Sequence, residues 1–181
     1  MSKYPKVIPH LVVKGGLEAI AFYENALDAD AEAVMMAEDG KRVMHAELDI
    51  NDSTIFLCDE FPEFSSETTS PVTAGNASVA IHLEFKKPKH VDAMIAQAAE
   101  HGAKVIMPAG DMFWGARYGR IRDPFGHVWS FGAPLKHKHG KTPEAEPRKN
   151  AKTKAEPAPI VAKSAARRTG KSNTKSRARG H

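Results

Sequence analysis

The sequence predicts an α+β fold in which two βαβββ modules, with curved mixed sheets forming a cavity, precede a disordered C-terminal tail. The first observation is an internal repeat: residues from about 4–60 and 76–132 each show a strand, a helix and three further strands. The second is a change of composition after Gly132, where large apolar residues become rare and Lys, Arg, Ala and Pro dominate. We therefore expect a folded domain at 1–132 and a tail at 133–181.

Each predicted module opens with an alternating apolar strand, at 6–15 in the first and at 77–85 in the second. An amphipathic helix follows each strand, because apolar residues recur there every three or four positions. In the first helix the main stripe holds Leu17, Ile20, Ala21, Tyr23 and Glu24, beside an adjoining stripe of Ala19, Phe22, Ala26 and Leu27. In the second helix the stripe holds Val91, Met94, Ile95, Ala98 and Ala99.

Turn residues separate the remaining predicted strands. Hairpin signals stand at Asp39-Gly40 and Asn51-Asp52, and Gly102 suits a left-handed position after the second helix. The run Asp123-Pro124-Phe125-Gly126 fits a type I turn in which the Asp123 side chain caps the turn. The three strands are expected at 31–38, 42–50 and 53–59 in the first module and at 103–109, 118–123 and 127–131 in the second. The connector 60–76 is rich in turn residues.

Composition indicates a cytoplasmic protein. Hydrophobic residues make up 41% and charged residues 27% of the 181 positions, which is ordinary for a globular protein. No apolar run approaches the roughly 20 residues that span a bilayer, and the first residues do not read as a secretory signal. The single Cys58 cannot form an intramolecular disulfide.

The charge is divided unevenly between the two parts of the chain. Residues 133–181 carry 14 Lys and Arg against 3 Asp and Glu, a net charge of +11, whereas residues 1–132 carry a net −7. One interpretation is that this solvated basic segment contacts nucleic acid weakly and without sequence preference. The alternative is a solubilising extension without a partner, and the sequence leaves both open.

Three segments carry a family resemblance: PHLVVKGGLEAIAFYENAL, VMHAEL and FWGARYGRIRDPFGHVWSF. Together they resemble the vicinal-oxygen-chelate superfamily, which includes glyoxalase I, extradiol dioxygenases, fosfomycin-resistance proteins and bleomycin-binding proteins. Within it, the WGxRYGRxxDPFGHxW pattern is similar to the PhnB-like branch. The resemblance covers residues 4–132 and implies paired βαβββ modules, a cavity in each curved sheet and a homodimer.

Enzymes of that superfamily hold a divalent metal with His and Glu side chains at four places, so the resemblance implies where to look for a metal. The first place matches His10, and the second falls on Phe56 or Leu57. The third falls on Ala80 and the fourth on Ser130, where metal-using relatives carry Glu. Only one of the four ligands is kept, which indicates a degenerate metal site and no firm cofactor.

A displaced metal site is the alternative. His82 lies two residues after Ala80 and thus on the same face of its strand. With His10, and with a carboxylate such as Glu47 beside His45, it would suit Zn²⁺, Mn²⁺, Fe²⁺ or Ni²⁺. The competing interpretation is that His10 and His82 only form hydrogen bonds inside a polar cavity.

The segment 113–120 is the densest cluster of chemical groups in the chain. Its aromatic and guanidinium side chains predict a pocket for an anionic or carbonyl-bearing small molecule. The alternative is structural, with Arg117 paired to an acidic loop such as the one containing Asp123. The candidate ligand-binding residues are His10, His82, Trp114, Arg117, Tyr118, Arg120 and Ser130, with His10 and His82 also the candidate metal ligands. His127 is expected to face the helix layer.

Several enzyme classes lack their motifs, since the sequence has no G-x-S-x-G elbow, no P-loop and no G-x-G-x-x-G after a strand. The function predicted is therefore small-molecule binding with a degenerate metal site and uncertain catalysis. Two alternatives remain open. One is a metal-dependent lyase, transferase or dioxygenase that uses a shifted His site, and the other is a dimeric scaffold for a nucleic-acid-binding tail.

Overall fold

The structure is a computed structural model, and it describes residues 7–64 and 67–135. Of the predicted tail at 133–181, only the first three residues belong to the described part. The predictions of disorder and of nucleic-acid contact for this tail therefore lie outside the described residues.

The order of helices and strands confirms two βαβββ modules. The first module contains β1 (His10–Val13), α1 (Gly16–Ala26), β2 (Asp30–Met36), β3 (Val43–Ile50) and β4 (Ser53–Asp59). The second contains β5 (Ala80–Glu84), α3 (Pro88–Glu100), β6 (Lys104–Asp111), β7 (Ala116–Arg122) and β8 (Val128–Pro134). The connector adds a short helix that the sequence did not predict, α2 (Pro71–Ala74). Within the described ranges, no helix has the length and hydrophobicity needed to cross a membrane.

Each module forms one four-stranded mixed sheet. The strand orders are β1-β4-β3-β2 and β5-β8-β7-β6, so the first and last strands of each module pair in parallel at one side of the sheet. The other pairs are antiparallel. Strand β8 ends at Pro134, two residues past the predicted domain end at 132. The backbone N–H of Leu135 then donates to the carbonyl of Gly115 at 2.9 Å.

The predicted turns form as expected from their residues. Asn51 and Asp52, between β3 and β4, have φ angles of 53° and 61°, the left-handed pair that a two-residue hairpin requires. Gly102 follows α3 with a φ of 100°, as predicted. In the Asp123 turn, the N–H of Gly126 donates to the Asp123 carbonyl at 3.1 Å.

Helix α1 packs against the core with residues of both predicted stripes. Leu17, placed in the main stripe by the sequence pattern, is 48% exposed. The packed face combines the adjoining stripe with part of the main one, since Ala19, Phe22 and Ala26 are buried together with Ile20 and Tyr23. Helix α3 follows its prediction more closely, because Val91, Met94, Ile95 and Ala98 are all buried.

The Asp59 carboxylate joins the end of β4 to the start of α1. Its Oδ1 accepts hydrogen bonds from the backbone N–H groups of Gly15 and Gly16, both at 2.9 Å, and its Oδ2 accepts from Val43 N–H at 2.7 Å. A Cβ at Gly16 would lie 2.5 Å from Asp59 Oδ2. The glycine therefore allows the carboxylate to reach backbone N–H groups that would otherwise lack partners at a helix start.

A second buried carboxylate, that of Asp123, joins the two modules. Its Oδ2 accepts from Tyr23 Oη of α1 and from Trp129 Nε1 of β8, each at 2.8 Å. Its Oδ1 accepts from the backbone N–H groups of Phe125 and His127, which confirms the predicted turn cap. Burial raises the pKa of Asp123, and the hydrogen bonds from Trp129 and Tyr23 oppose that shift.

Candidate functional site

The candidate site lies on the face of the second sheet that points away from α3. Side chains alternate along a strand, so Trp129 and Phe131 of β8 face the core while Ser130 between them faces the opposite side. The register then brings residues of three strands together in two rows on that face. These are His82, Ser130 and Arg120 in one row and Glu84, Gly132 and Tyr118 in the next.

A chain of hydrogen bonds runs across the first row and into the second. Ser130 Oγ lies 2.9 Å from His82 Nδ1, and His82 Nε2 lies 3.0 Å from Glu84 Oε2. A Cβ at Gly132 would lie 2.8 Å from Glu84 Oε2 and 2.9 Å from His82 Cε1. The absence of a side chain at Gly132 thus leaves room for the imidazole and the carboxylate to meet above β8.

Aromatic rings extend the face toward the β6–β7 turn. The Tyr118 ring stacks on His82 with ring centroids 6.0 Å apart and planes 18° apart. Trp114 meets Tyr118 edge-on at 5.8 Å, and Phe113 meets Trp114 edge-on at 4.9 Å. Phe113 and Trp114 are 90% and 54% exposed, so the face ends in an exposed apolar edge.

Arg120 contributes an unsatisfied positive group beside these rings. It lies directly opposite Ser130 in the register of β7 and β8. Its Nε–H is buried and has no hydrogen-bond partner in the part of the chain that the structure describes. A buried donor without a partner costs roughly 1–3 kcal/mol. Such donors are rare in folded proteins, and this one is available to an acceptor oxygen of a bound molecule.

Arg117, also predicted for this site, lies on the opposite side of β7. Its guanidinium forms ion pairs with Asp92 of α3 at 2.6 Å and with Asp111 of β6 at 2.8 Å. The Arg117 guanidinium holds the pKa of Asp92 below its usual value through these hydrogen bonds. The structural alternative considered for Arg117 therefore applies, with Asp92 and Asp111 as its partners in place of the Asp123 loop.

His10 lies on the first sheet, apart from the His82 group. Its ring centroid is 6.2 Å from that of His45 and 6.0 Å from that of Phe56. His45 Nε2 in turn lies 3.8 Å from Glu47 Oε1. Partial desolvation lowers the pKa of His10, and the neighbouring His45 lowers it further.

The strand register shows how the residues considered at the four metal-ligand positions pair with one another. His10 pairs directly with Phe56, one of the two residues considered for the second position. In the second module the matching pair is His82 with Ser130, whereas Ala80 pairs with Val128. Ala80, expected at the third position, therefore lies two residues before the residue that pairs with Ser130.

The donors at these positions do not form a metal centre. Phe56 offers no ligand atom, and His10 and His82 have their contacts on different sheets. Within residues 7–64 and 67–135, no group of three or more His, Cys, Asp or Glu side chains is arranged to hold a metal ion. The residues present therefore do not fit the divalent metal that the family implies.

A separate cavity of about 500 Å³ lies between β1 and the connector. Its lining includes His10, Val12, Thr68, Ile81 and His127. His127 Nε2 lies 3.0 Å from the Val12 carbonyl oxygen, so this imidazole links the two modules. The sequence pattern predicted that His127 faces the helix layer, whereas its side chain contacts β1 of the other module.

Sequence reasoning missed two members of the site, Glu84 and Gly132. For Glu84 a signal was available, since His82 and Glu84 are two residues apart on one strand and must share a face. For Gly132 no local signal exists, because its role depends on how closely β5 side chains cross β8.

Comparison with known proteins agrees with this fold. The sequence model of the Glyoxalase/Bleomycin resistance protein/Dioxygenase superfamily matches residues 8–131. An uncharacterized protein of Mycobacterium bovis is 40% identical over 133 residues, which are 73% of this chain and 85% of the relative.

Among solved structures, protein PA1353 from Pseudomonas aeruginosa superposes with a TM-score of 0.57 at 24% identity, covering 73% of this chain and 99% of that protein. The PhnB protein from Bacillus cereus gives a TM-score of 0.56 at 17% identity, covering 73% of this chain and 100% of that protein. At these identities, the two structures support the fold alone.

Proposed function

The chain belongs to the glyoxalase/bleomycin resistance protein/dioxygenase superfamily, and from this premise we propose that it binds a small molecule without a metal. The proposed ligand site is the face of the second sheet that carries His82, Tyr118, Arg120 and Ser130. Its resemblance to the PhnB-like branch is part of the same proposal.

The observation that carries the proposal is the buried Nε–H of Arg120, which has no partner among the described residues. A guanidinium donates to carboxylate and carbonyl oxygens in a fixed planar geometry. Ser130, directly across from it, is only 4% exposed, so water competes weakly for a ligand oxygen at this point. An anionic or carbonyl oxygen is therefore the group that the site favours.

The rings beside Arg120 favour a flat ligand. Tyr118 stacks with His82, and Trp114 stands edge-on to Tyr118. Such an arrangement offers a π surface to an aromatic ring. We therefore expect aromatic carboxylates to be the ligand class, with the carboxylate at Arg120 and the ring along Tyr118.

We further infer a homodimer. Met35 of β2 and the pair Phe113 and Trp114 are exposed large apolar side chains in a single chain, and monomeric proteins rarely expose large apolar patches. We also infer a cytoplasmic location, since Cys58 has no second cysteine to pair with. Cell fractionation that finds the protein outside the cytoplasm would contradict this second inference.

Calorimetric titration with 4-hydroxybenzoate tests the ligand proposal. The full chain should bind it, and Arg120→Gln should weaken binding roughly 10- to 100-fold, because a hydrogen bond to a charged group contributes about 1.5–3 kcal/mol. Lys104→Gln is the matched control, since it removes one positive charge from an exposed position on β6 of the same sheet. Equal affinities of the Arg120 and Lys104 variants would refute the role of Arg120.

A further inference from the structure

We propose that Ser130, His82 and Glu84 form a catalytic group that transfers short acyl groups from aryl esters to water. In this group Ser130 is the nucleophile, His82 is the general base and Glu84 positions the imidazole. The inference rests on the proposed function, because the ester must bind to the same face of the second sheet.

The hydrogen-bond geometry assigns these roles. A neutral imidazole carries one proton, and a carboxylate only accepts hydrogen bonds. The Glu84 carboxylate, 3.0 Å away, therefore places the imidazole proton on Nε2. His82 Nδ1 is then an acceptor, and the Ser130 hydroxyl donates to it at 2.9 Å in preference to the Ile81 carbonyl oxygen, which lies farther away at 3.4 Å. A nucleophile bonded to a base that a third group orients is the arrangement found in serine hydrolases of unrelated folds.

Stability alone does not account for this arrangement. The side chains of His82 and Glu84 are 44% and 62% exposed, and even charged pairs at such exposed positions contribute little to folding, about 0–1 kcal/mol. Gly132 nevertheless leaves the space in which the two side chains meet. The group is thus built on rigid strands where its contribution to folding is small.

Arg120 supplies the remaining component, a donor for the oxyanion. Its position opposite Ser130 and its unpartnered buried Nε–H provide a fixed positive group beside the reacting carbonyl. Donors that are oriented before reaction stabilise the charge that develops on a tetrahedral intermediate.

The reaction balances with water as the only co-reactant. Ser130 Oγ attacks the acyl carbon, its proton passes to His82 Nδ1, and the carbonyl electron pair moves to the oxygen beside Arg120. The intermediate then expels the phenol oxygen, which takes the proton from His82. Water attacks the acyl-serine while His82 removes its proton, and release of the carboxylic acid returns this proton to Ser130 Oγ.

Burial and the aromatic rings define the substrate class. Ser130 is 4% exposed, so we expect short acyl groups such as acetyl to reach its hydroxyl more readily than long ones. The adjoining Tyr118 and Trp114 rings favour an aromatic leaving group. Aryl esters of short carboxylic acids combine both properties.

The test uses the full chain with 4-nitrophenyl acetate and follows 4-nitrophenolate release, with peptide mass spectrometry to locate the acetyl group. We expect an acetyl group on the Ser130 peptide, lost in Ser130→Ala, and a rate reduced at least about 100-fold in His82→Gln. Glu84→Gln should lower kcat and leave KM unchanged, because Glu84 touches only the imidazole. Ser53→Ala, an exposed hydroxyl at the start of β4, is the matched control and should react like the unaltered chain.

Acetylation confined to residues other than Ser130, or an unchanged rate in His82→Gln, would overturn the inference. Because His82→Gln keeps Ser130 in place, it decides the question even if Ser130→Ala does not fold. The same preparation is titrated with 4-hydroxybenzoate. Binding without Ser130 acetylation refutes only the acyl transfer, whereas acetylation without binding supports the acyl transfer and refutes the proposed carboxylate ligand class.

Discussion

Removing the Tyr23 hydroxyl tests how strongly the buried Asp123 carboxylate holds the two modules together. Tyr23→Phe keeps the ring, which packs against Trp129 at 5.5 Å, and deletes only the donor 2.8 Å from Asp123 Oδ2. Tyr23 is fully buried and Asp123 is 4% exposed, so water does not replace the lost bond. A hydrogen bond to a charged group contributes about 1.5–3 kcal/mol, and we expect the free energy of unfolding to fall by that amount.

The loss should depend on pH in a defined direction. Burial raises the pKa of Asp123, and deleting the Tyr23 donor removes one of the hydrogen bonds that favour the ionised form. The loss of unfolding free energy in the variant is therefore largest at about pH 8, where the carboxylate is charged. As the pH falls, the carboxyl group takes up a proton, and the neutral form gains less from hydrogen-bond donors than the charged form. The difference in unfolding free energy between the two chains therefore becomes smaller.

Urea denaturation at several pH values measures both effects. Tyr118→Phe is the control, because it deletes a hydroxyl for which the described part of the chain supplies no partner. Its free energy of unfolding should change by less than about 0.5 kcal/mol. If Tyr23→Phe costs no more than this control, or if its cost grows as the pH falls, the reasoning about the Asp123 carboxylate is refuted.

Two further predictions concern the opposite side of the second sheet and the state of assembly. Arg117→Gln should lower the free energy of unfolding by at most about 1 kcal/mol, since its ion pair with Asp92 is partly exposed, and should leave 4-hydroxybenzoate binding unchanged. The Asp92 pKa is lowered in the folded chain, so this contribution is present above the ordinary Asp pKa and is lost as the pH falls below it, which acid titration of both chains measures. Sedimentation at micromolar concentration should give about twice the 19.7 kDa chain mass, and a single-chain mass would contradict the homodimer.

Much of the fold could be predicted from local signals, because strand alternation and turn formation depend on residues that are neighbours in the sequence. The left-handed pair Asn51-Asp52 is an example, since these two residues form the turn between the end of β3 and the start of β4. The packed face of α1 could not be predicted in the same way. That helix has two apolar stripes, and the second module covers residues of both, because Phe125 packs against Phe22 of one stripe and Tyr23 of the other.

The sequence predicted the direction of a site side chain only where the alternation along a single strand determines it. Alternation along β8 placed Ser130 on the outward face, and the same rule required Arg117 and Arg120 to point to opposite sides of β7. Which of the two arginines joins Ser130 depends on the pairing of β7 with β8, and this register is a tertiary property. The same applies to His82, whose partnership with Ser130 depends on the parallel pairing of β5 with β8.

The Tyr23–Asp123 hydrogen bond also has a consequence for synthesis of the chain, because its two residues are 100 positions apart. Chains grow from the N-terminus, and domains fold as they emerge. Until Asp123 and Trp129 have been made, α1 lacks both the acceptor for its tyrosine and the rings that cover its packed face. The packed face of α1 is therefore covered only after most of the second module has been translated, so we expect the whole domain, and not one module, to be the unit that completes folding.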